Sequence, residues 1–192
     1  MSNDVAVWTG VQRPQRADAR RNFDALIAAA RTAFGRDGLD ASLEGIAHAA
    51  GVGIGTLYRN FPTREDLVEA VYVAEVEHLV DAAVVAQEKD PWSALESWLG
   101  HFIEYIGTKR ALIDGLNKRS TVMLNCRHAM FAAGFPLLER AQAAGVVRSD
   151  VGIEEVVRLM SGVAGVAFTD DAQRRQVMGI AIDGLRARPD AG

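Results

Sequence analysis

The chain is 192 residues long and 49% hydrophobic, with 21 basic and 25 acidic side chains and a net charge of −4. That much apolar material builds a sizeable core, while the acidic balance excludes a general nucleic-acid coat protein. The single cysteine, Cys126, excludes an intrachain disulfide and fits a reducing cytoplasm, and no run approaches the roughly 18 uninterrupted apolar residues of a membrane span.

Residues 1–15 lack a helical period and the apolar core of a signal peptide, and read as a flexible arm. Phe23, Leu26, Ile27, Ala30 and Phe34 then repeat at helical spacing, predicting a helix from Ala17 to about Arg36, stopped by Gly38. Two very short helices follow. Ser42 caps the first, which runs to about Ala50, and Gly51 ends it; the second covers Ile54 to Asn60. Pro62 closes the segment, and Thr63-Arg64-Glu65-Asp66 reads as a capping-box start for a helix to about Gln87.

Asp90-Pro91 places an N-cap before a proline at the first helical position, predicting a helix to about Ile106, broken by Gly107. A shorter helix is expected over residues 110–117 and a long one from Ser120 to Ala144, kinked or split at Gly134-Phe135-Pro136. Ile153, Val156, Val157 and Met160 define the next helix, and Val177, Ile180, Ala181 and Leu185 the last. The expected fold is all-α, with about nine helices: a three-helix, homeodomain-like helix-turn-helix domain over 16–64 and a larger helical bundle over 65–192.

Charge follows the same division. Residues 1–64 carry eight arginines against six acids, a net +2, and the remainder is net −6. A mildly basic head on an acidic body suits contact with a polyanion at one end only.

The two short helices joined by Gly51-Val52-Gly53 form a helix-turn-helix pattern. Within it stand Ala50-Gly51-Val52, Gly55-Thr56-Leu57-Tyr58 and Phe61-Pro62 with Leu67 five positions on. This stretch closely resembles the DNA-binding signature of the TetR family of transcriptional regulators, and the resemblance covers residues 17–68. Leu137-Leu138-Glu139-Arg140-Ala141-Gln142-Ala143-Ala144-Gly145 and Asp183-Gly184-Leu185-Arg186 also resemble that family's C-terminal region, with less specificity.

The physics of the segment points the same way. A recognition helix enters the major groove, about 12 Å wide, with its N-terminal residues toward the bases. Gly53 and Gly55 strip side chains from that end and let backbone approach closely. Thr56 and Tyr58 offer hydroxyls for phosphate oxygens and base edges, and Ser42 presents a helix N-terminus to an anion. Arg64 stands where the family carries a phosphate-binding cation, and Arg20 offers a second one. The family often has serine and a polar or basic residue where this chain has Gly53 and Ile54. Ile54 is therefore expected against a thymine methyl, with base discrimination resting on Thr56, Tyr58 and Arg59.

The resemblance further implies a small apolar or amphipathic effector held among the middle helices and a homodimer formed by the last two. Trp98, Phe102, Tyr105, Leu116, Met123, Cys126 and Phe131 are the candidate pocket residues, with His101, Asn117, Asn125 and His128 as polar additions. Operator DNA released by the effector is the implied mechanism. A regulator with no effector is one alternative, and a redox or metal sensor built on Cys126 is another. Cys126 and His128 lie two apart, which on a helix turns them to different faces and makes a poor chelate. Catalysis is not expected: His48, His78, His101 and His128 are scattered, and the glycine-rich turn lacks the lysine and strand of a phosphate loop. No cofactor or metal is expected.

Overall fold

The computed structural model describes residues 13–112, 115–116 and 121–187. Eight α-helices account for nearly all regular structure among them: α1 Ala17–Asp37, α2 Leu43–Ala49, α3 Ile54–Asn60, α4 Arg64–Ala86, α5 Pro91–Leu112, α6 Thr121–Ala143, α7 Ile153–Ala164 and α8 Asp171–Asp183. The expected N-terminal arm lies outside the described residues up to position 12, as do positions 113, 114 and 117 of the expected short helix over 110–117, whose residues 110–112 belong to the end of α5.

The chain packs as two compact units: Met1–Glu77 with Thr108–Cys126, and His78–Gly107 with Arg127–Gly192. In the first unit Leu67, Val68 and Val71 of α4 are buried, and the Glu75 carboxylate pairs with Arg31 of α1 at 2.8 Å. An ion so fully removed from water is tolerable only with such a partner, and the pair ties this part of α4 to the helix that begins the chain.

In the first unit α1 buries Phe23, Leu26, Ala30 and Phe34 along one stripe. The Ser42 hydroxyl accepts the Gly45 amide at 3.1 Å and opens α2. Gly51 closes it in the left-handed region, φ +70°. There the Gly51 amide bonds the His48 carbonyl and the Val52 amide bonds that of Ala47, both at 3.0 Å. This is the paired 5→2 and 6→1 closure of a Schellman turn, which a Cβ at Gly51 would strain. Thr63 and Asp66 then cap α4 reciprocally: each backbone amide donates to the other's side chain, at 2.9 and 3.1 Å.

In the second unit the Asp90 carboxylate accepts the Ser93 amide at 3.1 Å and opens α5, as its Asp-Pro start implies. Gly107 does not break α5, and the described residues hold eight α-helices. The buried row Phe102, Tyr105, Ile106 and Leu112 keeps helical spacing across the glycine, and packing outweighs the ~1 kcal/mol intrinsic cost of one helical glycine. Likewise α6 is one helix with Pro136 inside it. Pro136 and Ala132 are both exposed, so the carbonyl deprived of its donor faces solvent and can be satisfied by water.

Gly134 has a different role. A methyl there would overlap Cη2 of Trp98 and stand 2.7 Å from Cζ2. Trp98 is fully buried and its Nε1 donates to the Leu79 carbonyl at 3.2 Å, so the ring cannot swing aside. Gly134→Ala should therefore lower stability by roughly 1–3 kcal/mol. Gly100→Ala, where a methyl meets open space, should be neutral or stabilising by up to about 1 kcal/mol. Thermal melts of the two variants check this pair of outcomes; equal midpoints would show that the Trp98 contact is not tight.

Candidate nucleic-acid interface

α2 and α3 are seven residues each, too short to persist in water unaided. Their inward sides hold them. Leu43, Ile46 and Ala47 of α2, Leu57 of α3 and the following Phe61 are all buried, and Phe61 packs on Phe23 of α1 with ring centroids 4.9 Å apart. Val52 and Ile27 are half-buried.

The opposite side of α3 is open. Ile54 is 36% and Tyr58 47% exposed, one helical turn apart on one face. Gly53 and Gly55 are exposed beside them, and a Cβ built on either would meet nothing. Gly53, Ile54 and Gly55 thus present backbone and one isoleucine, with no hydrogen-bonding side chain. Polar function begins at Thr56, whose hydroxyl accepts from Arg59 Nη2 at 3.0 Å. Asn60 Nδ2 donates to the Thr56 carbonyl at 2.8 Å, a bond that the sequence reading missed. Thr56 and Arg59 form one polar group on this helix, beside the apolar Ile54–Tyr58 face.

The arginines divide into two sets. Arg64, expected as a phosphate contact, donates from Nη1 to the carbonyls of Leu39 and Ala41 at 2.8 and 2.7 Å. Both Nη1 hydrogens are therefore committed to the turn between α1 and α2, so Arg64 braces that turn, while its Nε and Nη2 donors have no part in those two bonds. Arg13 forms a two-pronged pair with Asp24, at 2.9 and 2.6 Å. Arg16, Arg20 and Arg21 at the start of α1 are exposed, and no hydrogen bond or ion pair joins their side chains to other described residues. Arg20, singled out from the sequence, belongs to this uncommitted set. Ser42 is exposed, but its oxygen serves as the α2 cap.

The expected pocket residues are divided between the units. Trp98, Phe102 and Tyr105 form a row of buried rings in the second, with successive centroids 5.8 and 5.7 Å apart. Phe131, half-buried in the same unit, lies under the Arg127 guanidinium at 5.2 Å. Leu116, Met123 and Cys126 belong to the first unit, where Met123 is half-buried and the other two are buried. His101 and His128 are exposed, Asn125 is half-buried, and Asn117 lies outside the described residues.

The arrangement of a capped α2, a left-handed glycine turn and a short helix with an open outer face defines a helix-turn-helix DNA-binding protein. Comparison with known proteins agrees. Residues 26–71 match the model of bacterial regulatory proteins of the tetR family, and residues 90–187 match the C-terminal domain of SbtR-like transcriptional regulators. A TetR transcriptional regulator from Streptomyces coelicolor is 38% identical with a TM-score of 0.76, over 86% of this chain and 99% of that one. A TetR transcription regulatory protein from Mycobacterium vanbaalenii is 32% identical with a TM-score of 0.72, over 91% and 100%. The HTH-type transcriptional repressor KstR2 of Rhodococcus jostii is 26% identical over 83% of this chain and 89% of its own. The chain belongs to the TetR family of DNA-binding transcriptional regulators. None of its helices, among the described residues, is long and apolar enough to cross a membrane.

Cys126 bears on the sensor alternative. Burial, reinforced by the carboxylates of Glu69 and Glu77, pushes its thiol from 9.0 up to about 12. The reactive form of a cysteine is the thiolate, so Cys126 stays protonated and inert at neutral pH. Native protein at pH 8 should react with a thiol-specific reagent far more slowly than unfolded protein does. The unfolded chain releases this proton first, so the thiol's contribution to stability is complete below pH 9 and is lost between about 9 and 12. Rapid, stoichiometric labelling of the native state would contradict this.

Proposed function

We propose that this regulator is a dimeric repressor that lays α3 in the major groove at each half of a palindromic operator and is released by a small apolar or amphipathic effector. The observation that carries the DNA contact is the open outer face of α3, with Ile54, Gly53, Gly55, Thr56, Tyr58 and Arg59 projecting from a helix whose other side is locked by Leu57. The uncommitted Arg16, Arg20 and Arg21 supply cations for phosphate. Repression is supported by likeness to the Rhodococcus repressor.

Dimerisation is supported by the last two helices. α7 and α8 pack on one another, α7 buries Ile153, Val156, Val157 and Met160, and yet Leu159 and Ile180 stay exposed, Ile180 at 66%. Gly162 and Gly179 beside them allow close approach of a second copy. A two-fold partner is the commonest solution for such a surface and gives the symmetry that a palindrome requires. The effector reading rests on the row of Phe102 and Tyr105 with Phe131 near the surface. Trp98 contributes less, since Gly134 packs on its ring and its nitrogen is already bonded. An effector preferring the unbound dimer by roughly 1–3 kcal/mol lowers operator affinity about 5- to 150-fold.

Selection of bound duplexes from random sequence should recover inverted repeats whose half-site centres lie about one helical turn, roughly 34–36 Å, apart. Recovery of no preferred sequence would overturn the DNA reading, and recovery of single, unpaired sites would overturn the dimer. Candidate compounds can then be titrated against the recovered duplex in a mobility-shift assay.

The same duplex tests Ile54. Replacing its thymines one at a time with deoxyuridine removes single methyl groups. One position per half-site should weaken binding about fourfold, the worth of roughly 0.8 kcal/mol for a buried methyl-sized group. Ile54→Ala should bind both versions equally. Indifference of the wild-type protein to uracil at every position would show that Ile54 touches no methyl.

A further inference from the structure

The turn between α1 and α2, Gly38–Ala41, is held from two sides, and only one of them is part of the helix-turn-helix sequence. At the backbone, Arg64 bonds the Leu39 and Ala41 carbonyls. These carbonyls lie beyond the end of α1, before α2 begins, and the arginine supplies the donors that helix geometry does not. At the side chain, Leu39 rests against Gly115, a residue 76 positions away in the sequence. A Cβ on Gly115 would stand 3.0 and 3.2 Å from the two methyls of Leu39 and 3.3 Å from Cγ1 of Val68.

Val68 is one turn beyond Arg64 on α4, so the two act from one face of that helix. Leu39 is therefore held at its carbonyl by Arg64, and its methyls, like Cγ1 of Val68, stand against Gly115. Val68 is buried and β-branched, so it has little freedom to yield. A Cβ at position 115 is tighter than ordinary contact against Leu39 and Val68, and a larger side chain there presses on the Leu39 methyls first. Ala41 ends the turn, Ser42 caps α2 next, and the closed turn at Gly51 joins α2 to α3. Displacement of Leu39 is thus passed into the pair of helices that presents Ile54 and Tyr58.

We propose that Gly115 is a positioning residue of the DNA-binding unit: its missing side chain seats Leu39, and with Arg64 it fixes the setting of the helix-turn-helix at which specific DNA is read. The inference rests on the DNA reading above. It predicts loss of sequence discrimination from a substitution far outside the recognised motif, with general attraction to DNA retained, because Arg16, Arg20 and Arg21 are untouched.

The test compares wild type, Gly115→Ala, Gly115→Val, Leu39→Ala and the double variant Leu39→Ala/Gly115→Val. Each is measured against the selected duplex and a scrambled one, well below its thermal midpoint. Gly115→Val should weaken binding to the selected duplex about tenfold, the scale of a modest overpacking penalty, and leave scrambled-duplex binding within twofold. Gly115→Ala should do the same to a smaller degree, and it stands in if the valine variant fails to fold. Leu39→Ala, which removes the opposing methyls, should restore most of the loss in the double variant. Arg64→Met should weaken specific binding likewise and add less than its full effect to Gly115→Val. Wild-type discrimination in both glycine variants would overturn the proposal, as would a double variant no better than Gly115→Val alone. A wild-type protein that prefers no duplex would overturn the DNA reading and this inference with it; a discriminating wild type beside equally discriminating variants overturns the inference only.

Discussion

A seven-residue helix does not hold itself together, and everything this chain does with DNA depends on how α3 is held. Helix nucleation is unfavourable, and isolated helices below about 12–15 residues are marginal. α3 exists because Leu57 is buried, because Phe61 just beyond its end packs on Phe23 of α1, and because the Schellman turn at Gly51 fixes the angle at which the chain leaves α2. All of its anchoring is therefore on one side. The other side is left free of structural duty, which is the condition for Ile54, Tyr58 and the bare backbone of Gly53 and Gly55 to meet a ligand as large as a duplex.

Net charge alone misleads about this surface. The eight arginines of residues 1–64 suggest a broad basic head, yet most of them have work inside the protein. Arg13 pairs with Asp24, Arg31 with Glu75, and Arg36 with Asp37; Arg59 bonds Thr56, and Arg64 bonds two carbonyls. What remains is a short run at the start of α1. Arg140 in the second unit repeats the use made of Arg64, with Nη1 and Nη2 on the carbonyls of Gln87 and Lys89 beyond the end of α4. Arginine suits this task because its planar fork presents several donors at fixed angles. In this chain it serves as often to close loops as to carry charge to a surface.

The parts legible in the sequence are those whose cause is local. Ser42, Gly51, Asp90 with Pro91, and the Thr63–Asp66 pair announce helix ends within four residues of themselves, and the structure places ends there. The stripe Phe23, Leu26, Ala30 and Phe34 is local in the same sense. Failures of reading occur where the partner is remote. Gly107 looks like a break until the buried row on either side of it is seen to continue. The carbonyls that Arg64 braces lie 25 and 23 residues earlier, beyond the reach of any local pattern. Gly134 looks like a kink beside a proline, but its cause is the indole of Trp98. The candidate pocket was the least legible part: buried aromatics at helical spacing read alike whether they line a cavity or fill a core.

The composition of the recognition face sets how specificity must arise. Bidentate side-chain pairs with base edges are each worth roughly 1–3 kcal/mol of discrimination, and the first turn of α3 has no side chain able to form one. Apolar contact with a methyl group is worth less, about 0.8 kcal/mol. In the proposed contact, discrimination by one α3 rests on Ile54, the Tyr58 ring and the polar group of Thr56 with Arg59, whose guanidinium can supply a bidentate pair. Two copies double the free-energy difference and so square the preference, and that gain requires both to be set at a fixed angle and spacing. In the proposed dimer part of the demand thus falls on geometry: the fewer base pairs its side chains can read, the more an operator would be recognised by where two rigidly held helices fall along the groove.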